Sequence, residues 1–154
     1  YDIVVLDAFL IDTIPFHLAT REFFETIRDH LTPGGVLASN IIGALDGPRS
    51  GFFRAVYKTF REVFPSVYVF PAEWGRFSSK EAQRNIIVVA APDRVPLSAA
   101  SVQAAARGAR RVPGVIIEQF EEAAGDLYTE PIRTDDVPVL TDDFAPVDIL
   151  VQPR

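Results

Sequence analysis

Ile3–Leu6 is an unbroken apolar run, β-branched at its first three positions. That pattern suits a strand covered on both faces, as strands of parallel sheets are. Asp7 follows at once, and Asp12 comes in the loop beyond. From residue 18 to 31 the period changes. Phe23, Phe24, Ile27 and Leu31 recur at helical spacing, with Thr20 in the N-cap position and Glu22 in the first turn, facing the positive end of the helix dipole. Thr32-Pro33-Gly34-Gly35 stops that helix, because proline cannot continue the hydrogen-bond ladder and glycine accepts positive φ. Residues 36–42 return to strand character, so the chain opens with a βαβ unit.

The loop 43–51 carries Asp46-Gly47-Pro48 and leads into a predicted helix over 52–64, with Phe53, Val56, Phe60 and Phe64 near one face and Pro65 closing it. Residues 67–70 and 85–91 read as two further strands. The stretch joining them contains Trp74, Gly75 and Ser78-Ser79-Lys80 but no long apolar helix, which suits an antiparallel pair at a sheet edge. An Ala-rich outer helix is predicted over 98–111, and the tail from 127 onward holds prolines among acidic residues. The pattern therefore predicts one α/β domain, partial, doubly wound and mostly parallel, with room for an antiparallel edge strand. Its first strand should be central yet starts at residue 1, so residues 1–154 read as one domain forming the second half of something larger.

Composition narrows the chemistry. Apolar residues make up 48% of the chain and charged residues 23%, enough for a real core. A net charge of −6 argues against nucleic acid as partner, since phosphate-backbone binding needs clustered Lys and Arg. Without cysteine there is no disulfide framework and no thiolate nucleophile or ligand. His17 and His30 are too far apart in sequence for a helical metal pair, so no metal is expected. No apolar stretch has the length of a membrane span, and a soluble, cytoplasmic chain without membrane contact is expected.

The candidate chemistry sits at the strand ends. In an open α/β sheet the ligand crevice lies beyond the carboxyl ends of the strands, which is where Asp7 falls. Asp12 reads equally as a turn former or a ligand contact. Asn40 ends the second strand and would face the same crevice, while His17 reads as a cap or a packing residue. Trp74 reads as a core or lid residue, and Asp142-Asp143 as shaping a loop before Ala145-Pro146.

Three segments together resemble the spermidine synthase-like (polyamine aminopropyltransferase) family, whose fold is the methyltransferase-type Rossmann fold. They are Tyr1-Asp2-Ile3-Val4-Val5-Leu6-Asp7-Ala8-Phe9 through Ile14-Pro15-Phe16-His17-Leu18; Thr20-Arg21-Glu22-Phe23-Phe24 with Leu31-Thr32-Pro33-Gly34-Gly35-Val36-Leu37; and Leu140-Thr141-Asp142-Asp143-Phe144-Ala145-Pro146-Val147-Asp148. The turn alone is shared with many S-adenosylmethionine-dependent methyltransferases; the first and third segments are the more specific. The resemblance covers about the carboxyl half of a family member.

The resemblance implies aminopropyl transfer from decarboxylated S-adenosylmethionine to a polyamine acceptor, without a metal. It assigns Asp7 as the base for the attacking amine, Asp12 to hold the substrate and Ala8 to the cofactor. Two features depart from the polyamine-making pattern. The second aspartate stands five residues after the first rather than three, and Val69-Phe70-Pro71-Ala72-Glu73-Trp74-Gly75 replaces a threonine-tyrosine-proline stretch. A methyltransferase using ordinary S-adenosylmethionine on another acceptor therefore stays open, as does a noncatalytic ligand-sensing or interaction domain. Exposed apolar edge strands would favour a homodimer.

Overall fold

The computed structural model describes residues 1–8, 15–117 and 119–151. Strands β1 (Ile3–Leu6), β2 (Val36–Gly43), β3 (Ser66–Pro71) and β4 (Arg84–Ala91) form one sheet in the order β1-β2-β4-β3. β1 pairs with β2 in parallel, while β4 runs antiparallel to both β2 and β3. Three of the four strands thus share one direction. The antiparallel strand expected at this end of the sheet is present, one place inside the edge. The physical reason lies in the residues: β4 carries the apolar run Ile86 to Ala91 and suits the interior, whereas β3 ends in Pro71, which has no N–H to give a second neighbour.

Helices α1 (Arg21–His30) and α2 (Gly51–Val63) cover one face, as their apolar spacing predicts. Thr20 caps α1, its Oγ1 accepting from the Phe23 N–H at 3.3 Å. The chain leaves α1 through Gly34, at φ +79°, a conformation that disfavours side chains. β2 alternates beneath the helices: Leu37, Ser39, Ile41 and Gly43 are buried, and the residues between them are half-buried. Phe24 and Phe60 stack across α1 and α2 with ring centroids 4.1 Å apart. α2 approaches β2 so closely that a Cβ on Gly43 would lie 2.9 Å from that of Phe53.

On the opposite face α3 (Ala99–Ala109) and α4 (Phe120–Gly125) lie over Phe70, Ile87 and Val89, leaving a largely apolar cavity of about 430 Å³ between them. Only Ala106 of α3 is buried, as an outer helix requires. Ser98 starts this helix with a capping box shared with Ser101. The expectation that β1 is covered on both faces is not met: Ile3 and Val5 are 64% and 70% exposed. Their partners in the register are Val36 and Ala38, so this apolar stripe continues onto β2.

The tail closes the first face. Leu140 is fully buried, its N–H donating to Thr59 Oγ1 at 2.9 Å and its carbonyl accepting from the Arg21 N–H at 2.9 Å. A final helix, α5 (Val147–Val151), rests against α2. Thr59 Oγ1 also donates to the Ala55 carbonyl at 2.8 Å, so one buried hydroxyl joins α2 to the tail. Thr59→Val keeps the shape and orphans the Leu140 N–H. We expect a loss of about 1–3 kcal/mol, read as a lower urea midpoint at unchanged slope; an unaltered midpoint refutes the linking role.

Candidate functional site

Asp7 stands at the carboxyl end of β1, one step past the last registered pair, Leu6 with Ser39. Continuing that register sets it beside Asn40 on β2. Asn40 Nδ2 donates to Asp7 Oδ1 at 3.1 Å, and the Asp7 side chain is otherwise exposed. The other end of the same amide, Asn40 Oδ1, is buried and has no hydrogen-bond partner among the described residues. Ala8 follows Asp7 half-buried. Asp12 lies outside the described residues.

The three motif segments converge elsewhere, around the start of α1. The Asp142 N–H donates to Glu22 Oε2 at 3.0 Å, and Arg21 Nη2 to Glu22 Oε1 at 2.8 Å. Phe16, His17, Glu22, Phe23, Thr26 and Asp142 line a cavity of about 310 Å³, of which Asp7 is not a wall. The Glu22 carboxyl is held below its ordinary value, first by its own backbone N–H, with Arg21 and the Asp142 N–H adding to the effect. Thr141 and Phe144 exchange two backbone hydrogen bonds, each 3.0 Å, which puts Asp142 and Asp143 at the tip of a tight turn. Both aspartates therefore shape the loop, as their sequence context predicts. His17 is exposed and meets Phe16 edge-on, with centroids 5.5 Å apart.

Sequence reasoning missed Arg54, although its setting was a signal: one cation inside the run Phe52-Phe53-Arg54-Ala55-Val56. Its side chain is only 6% exposed and forms an ion pair with Asp136 of the tail. Arg54 Nε donates to Ser50 Oγ at 2.9 Å, Nη2 to Asp136 Oδ2 at 3.0 Å, and Nη1 to the other Asp136 oxygen and to the Arg133 carbonyl. A planar fork matched to a carboxylate suits such a place. A cavity of about 250 Å³ opens beside this pair, bordered by Gly47, Pro48 and Gly51 at the start of α2.

Trp74 is a half-buried packing residue. It meets Tyr128 edge-on at 5.1 Å, with the Arg84 guanidinium 5.8 Å from its ring centre. The loop that carries it is tied down from two sides: Asp126 accepts from the N–H groups of Glu73 and Gly75, and Arg84 donates to the carbonyls of Ala72, Phe77 and Ser79. Among the described residues, no three His, Asp or Glu side chains come together as a metal cluster, and no helix is long and apolar enough to cross a membrane.

A mostly parallel sheet with one reversed strand, helices on both faces and a carboxylate at a strand end define an α/β protein of the methyltransferase-like class. A crystal structure of a probable spermidine synthase from Corynebacterium glutamicum has the same fold, with a TM-score of 0.55 and 23% identity, over 89% of this chain and 50% of that one. No family model matches the chain. Two curated relatives do. A "Probable polyamine aminopropyl transferase" from Bifidobacterium longum is 28% identical over 158 residues, 97% of this chain and 34% of the relative. A "Polyamine aminopropyltransferase" from Vibrio vulnificus is 30% identical over 150 residues, 97% of this chain and 46% of the relative. The resemblance to spermidine synthase-like proteins read from the motifs is thus matched by both relatives and structure. The chain spans about a third to a half of the length of the curated relatives it matches.

The Arg54 hydrogen bonds hold the Asp136 carboxyl below its ordinary value. A carboxyl lowered in the folded state contributes stability above its unfolded value, and that contribution is lost as pH falls through the lowered value. Stability should therefore fall on acidification below about pH 4, and Asp136→Asn should flatten that part of the curve. Thermal melts from pH 3 to 7 test this; parallel curves for both proteins would show that the pair contributes nothing.

Proposed function

We propose that this chain is part of a spermidine synthase-like transferase that moves an aminopropyl group from decarboxylated S-adenosylmethionine to a polyamine, with Asp7 as base. The observation that carries the reading is an exposed, amide-oriented carboxylate at the end of β1, in a chain similar to proteins named for this activity.

An alkylammonium has no lone pair until it loses a proton. Asp7 attracts the cation and accepts that proton. The free amine then attacks the propyl carbon next to the sulfonium. A C–N bond forms as the C–S bond breaks, and the electron pair goes to sulfur, leaving neutral methylthioadenosine. The new secondary ammonium keeps its two protons, and Asp7 returns to the carboxylate by releasing the one it took to solvent. Because sulfonium is already a good leaving group, alignment of nitrogen, carbon and sulfur is the main task, worth about 7–11 kcal/mol in favourable cases. In this reading Asp12 holds the far end of the acceptor and Ala8 borders the co-substrate. None of these steps uses a metal.

The full-length protein, given putrescine and decarboxylated S-adenosylmethionine, should release methylthioadenosine. Asp7→Asn should slow it about 10²–10⁴-fold, the usual worth of a positioned base, without unfolding the protein. No product from any common diamine would refute the reading. One observation favours a second: Val69-Phe70-Pro71 leaves the tyrosine of the polyamine-making pattern unmatched. A methyltransferase on another acceptor fits that change, and the two readings part on whether the protein prefers the decarboxylated or the ordinary co-substrate.

Self-association of this chain belongs to the same proposal, because among the described residues β1 pairs with β2 alone and exposes Ile3 and Val5. Light scattering should give a dimer for the chain and a monomer for Val5→Lys. A monomeric wild type would exclude the dimer.

A further inference from the structure

We propose that the Asp7 site takes a second class of acceptor, a primary amine on an apolar chain, with the amine at Asp7 and the chain in the cavity beneath α3 and α4. The inference rests on the aminopropyl-transfer reading and adds an acceptor to it.

The register of the sheet connects the two places. Continued one step past Leu6, it sets Asp7, Asn40 of β2, Ile87 of β4 and Phe70 of β3 in one row across the strands. Residues opposite one another in a sheet point to the same face, and the 3.1 Å bond from Asn40 to Asp7 joins the first two on that face. The last two, Ile87 and Phe70, form part of the floor of the apolar cavity of about 430 Å³. Neighbouring strands lie about 4.8 Å apart, so Ile87 is roughly 10 Å from Asp7 and Phe70 roughly 14 Å. Asp7 is thus outside the cavity but in line with it. Asp7 is exposed, and Val5, on the same side of β1, is 70% exposed, so this face of the strand is open to a ligand.

The walls decide what the far end of the acceptor must be. Phe70, Ile87 and Val89 come from the sheet, and Ala105, Ala109 and Phe120 from the helices; no side chain lining the cavity carries a polar atom. A second ammonium placed there would lose its water with nothing to replace it, a cost that a hydrocarbon chain avoids. Burying such a chain is favourable, and the volume falls in the range of small-molecule sites. A carboxylate at one end of the row and only hydrocarbon at the other match a molecule with one ammonium and an apolar body. Phe70 lies in the stretch that leaves the tyrosine of the polyamine-making pattern unmatched, and it gives the cavity a ring without a hydroxyl. The chemical step is the same as for a polyamine. Asp7 takes a proton from the alkylammonium, the nitrogen attacks the propyl carbon of decarboxylated S-adenosylmethionine, and the C–S electron pair leaves on methylthioadenosine. The product is the alkyl chain joined through a secondary ammonium to the aminopropyl group, and Asp7 releases its proton to solvent.

The test gives the full-length protein butylamine, octylamine or putrescine together with decarboxylated S-adenosylmethionine and follows release of methylthioadenosine. The KM for octylamine should be at least about tenfold lower than that for butylamine, because only the longer chain reaches the cavity. Ala105→Leu and Ala109→Leu, made together, fill the cavity from α3 with good helix formers. In that protein the difference between the two alkylamines should shrink to less than about threefold, while kcat/KM for putrescine changes by less than about twofold. Equal KM values for butylamine and octylamine in the wild type, a comparison that needs no variant, overturn the apolar acceptor and leave the transferase reading standing on putrescine. A preference for octylamine that survives undiminished in the filled protein does the same. A wild type that releases no methylthioadenosine with any of the three amines overturns both.

Discussion

Strand β2 constrains the rest of the molecule. Among the described strands it alone joins the parallel strand β1 to the antiparallel pair β4 and β3, so the backbone pairing of the sheet is continuous only through it. Its alternation has two consequences at once. Leu37, Ile41 and Gly43 turn toward α1 and α2 and build the core, and the same two-residue period turns Asn40 the other way, beside Asp7. A slip of one residue would reverse both, burying Asn40 under the helices and exposing Ile41. Core and candidate site are thus two readings of one register.

The tail is held by polar contacts set in apolar surroundings. Leu140 fills the core with its side chain while Thr59 and Arg21 satisfy its backbone. Arg54 and Asp136 form a second attachment near the start of α2. In both cases a segment distant in sequence supplies partners that a helix lacks: Glu22 accepts from the Asp142 N–H, and Arg54 finds its carboxylate at position 136. This explains why the motif Leu140-Thr141-Asp142-Asp143 joins the amino-terminal motifs in space, with both aspartates at a turn and Asp142 also bordering the cavity beside Glu22.

A methyltransferase-like sheet serves several reactions, so the fold restricts the chemistry without choosing it. In the proposed reading the choice rests on groups at the carboxyl ends of the strands, where an exposed carboxylate held by an amide would attract a cation rather than an anion. A strand with Ile3 and Val5 facing solvent is unusual for a parallel sheet, and the relatives extend well beyond the matched region.

Local pattern was sufficient for the four strands and for α1, α2 and α3, but not for the short α4 and α5. The spacing of Phe23, Phe24 and Ile27, the cap at Thr20 and the stop at Pro33-Gly34 mark α1 to within a residue or so, and the apolar runs mark the strands, because these signals act over a few residues of backbone. Asp7 was readable for the same reason: it directly follows a strand. The insertion of β4 beside β2, the burial of Arg54 against Asp136 and the pairing of Asn40 with Asp7 link positions 33 to 82 residues apart. Such partners are selected by which surfaces the packed sheet and helices bring together, and no local period encodes that choice.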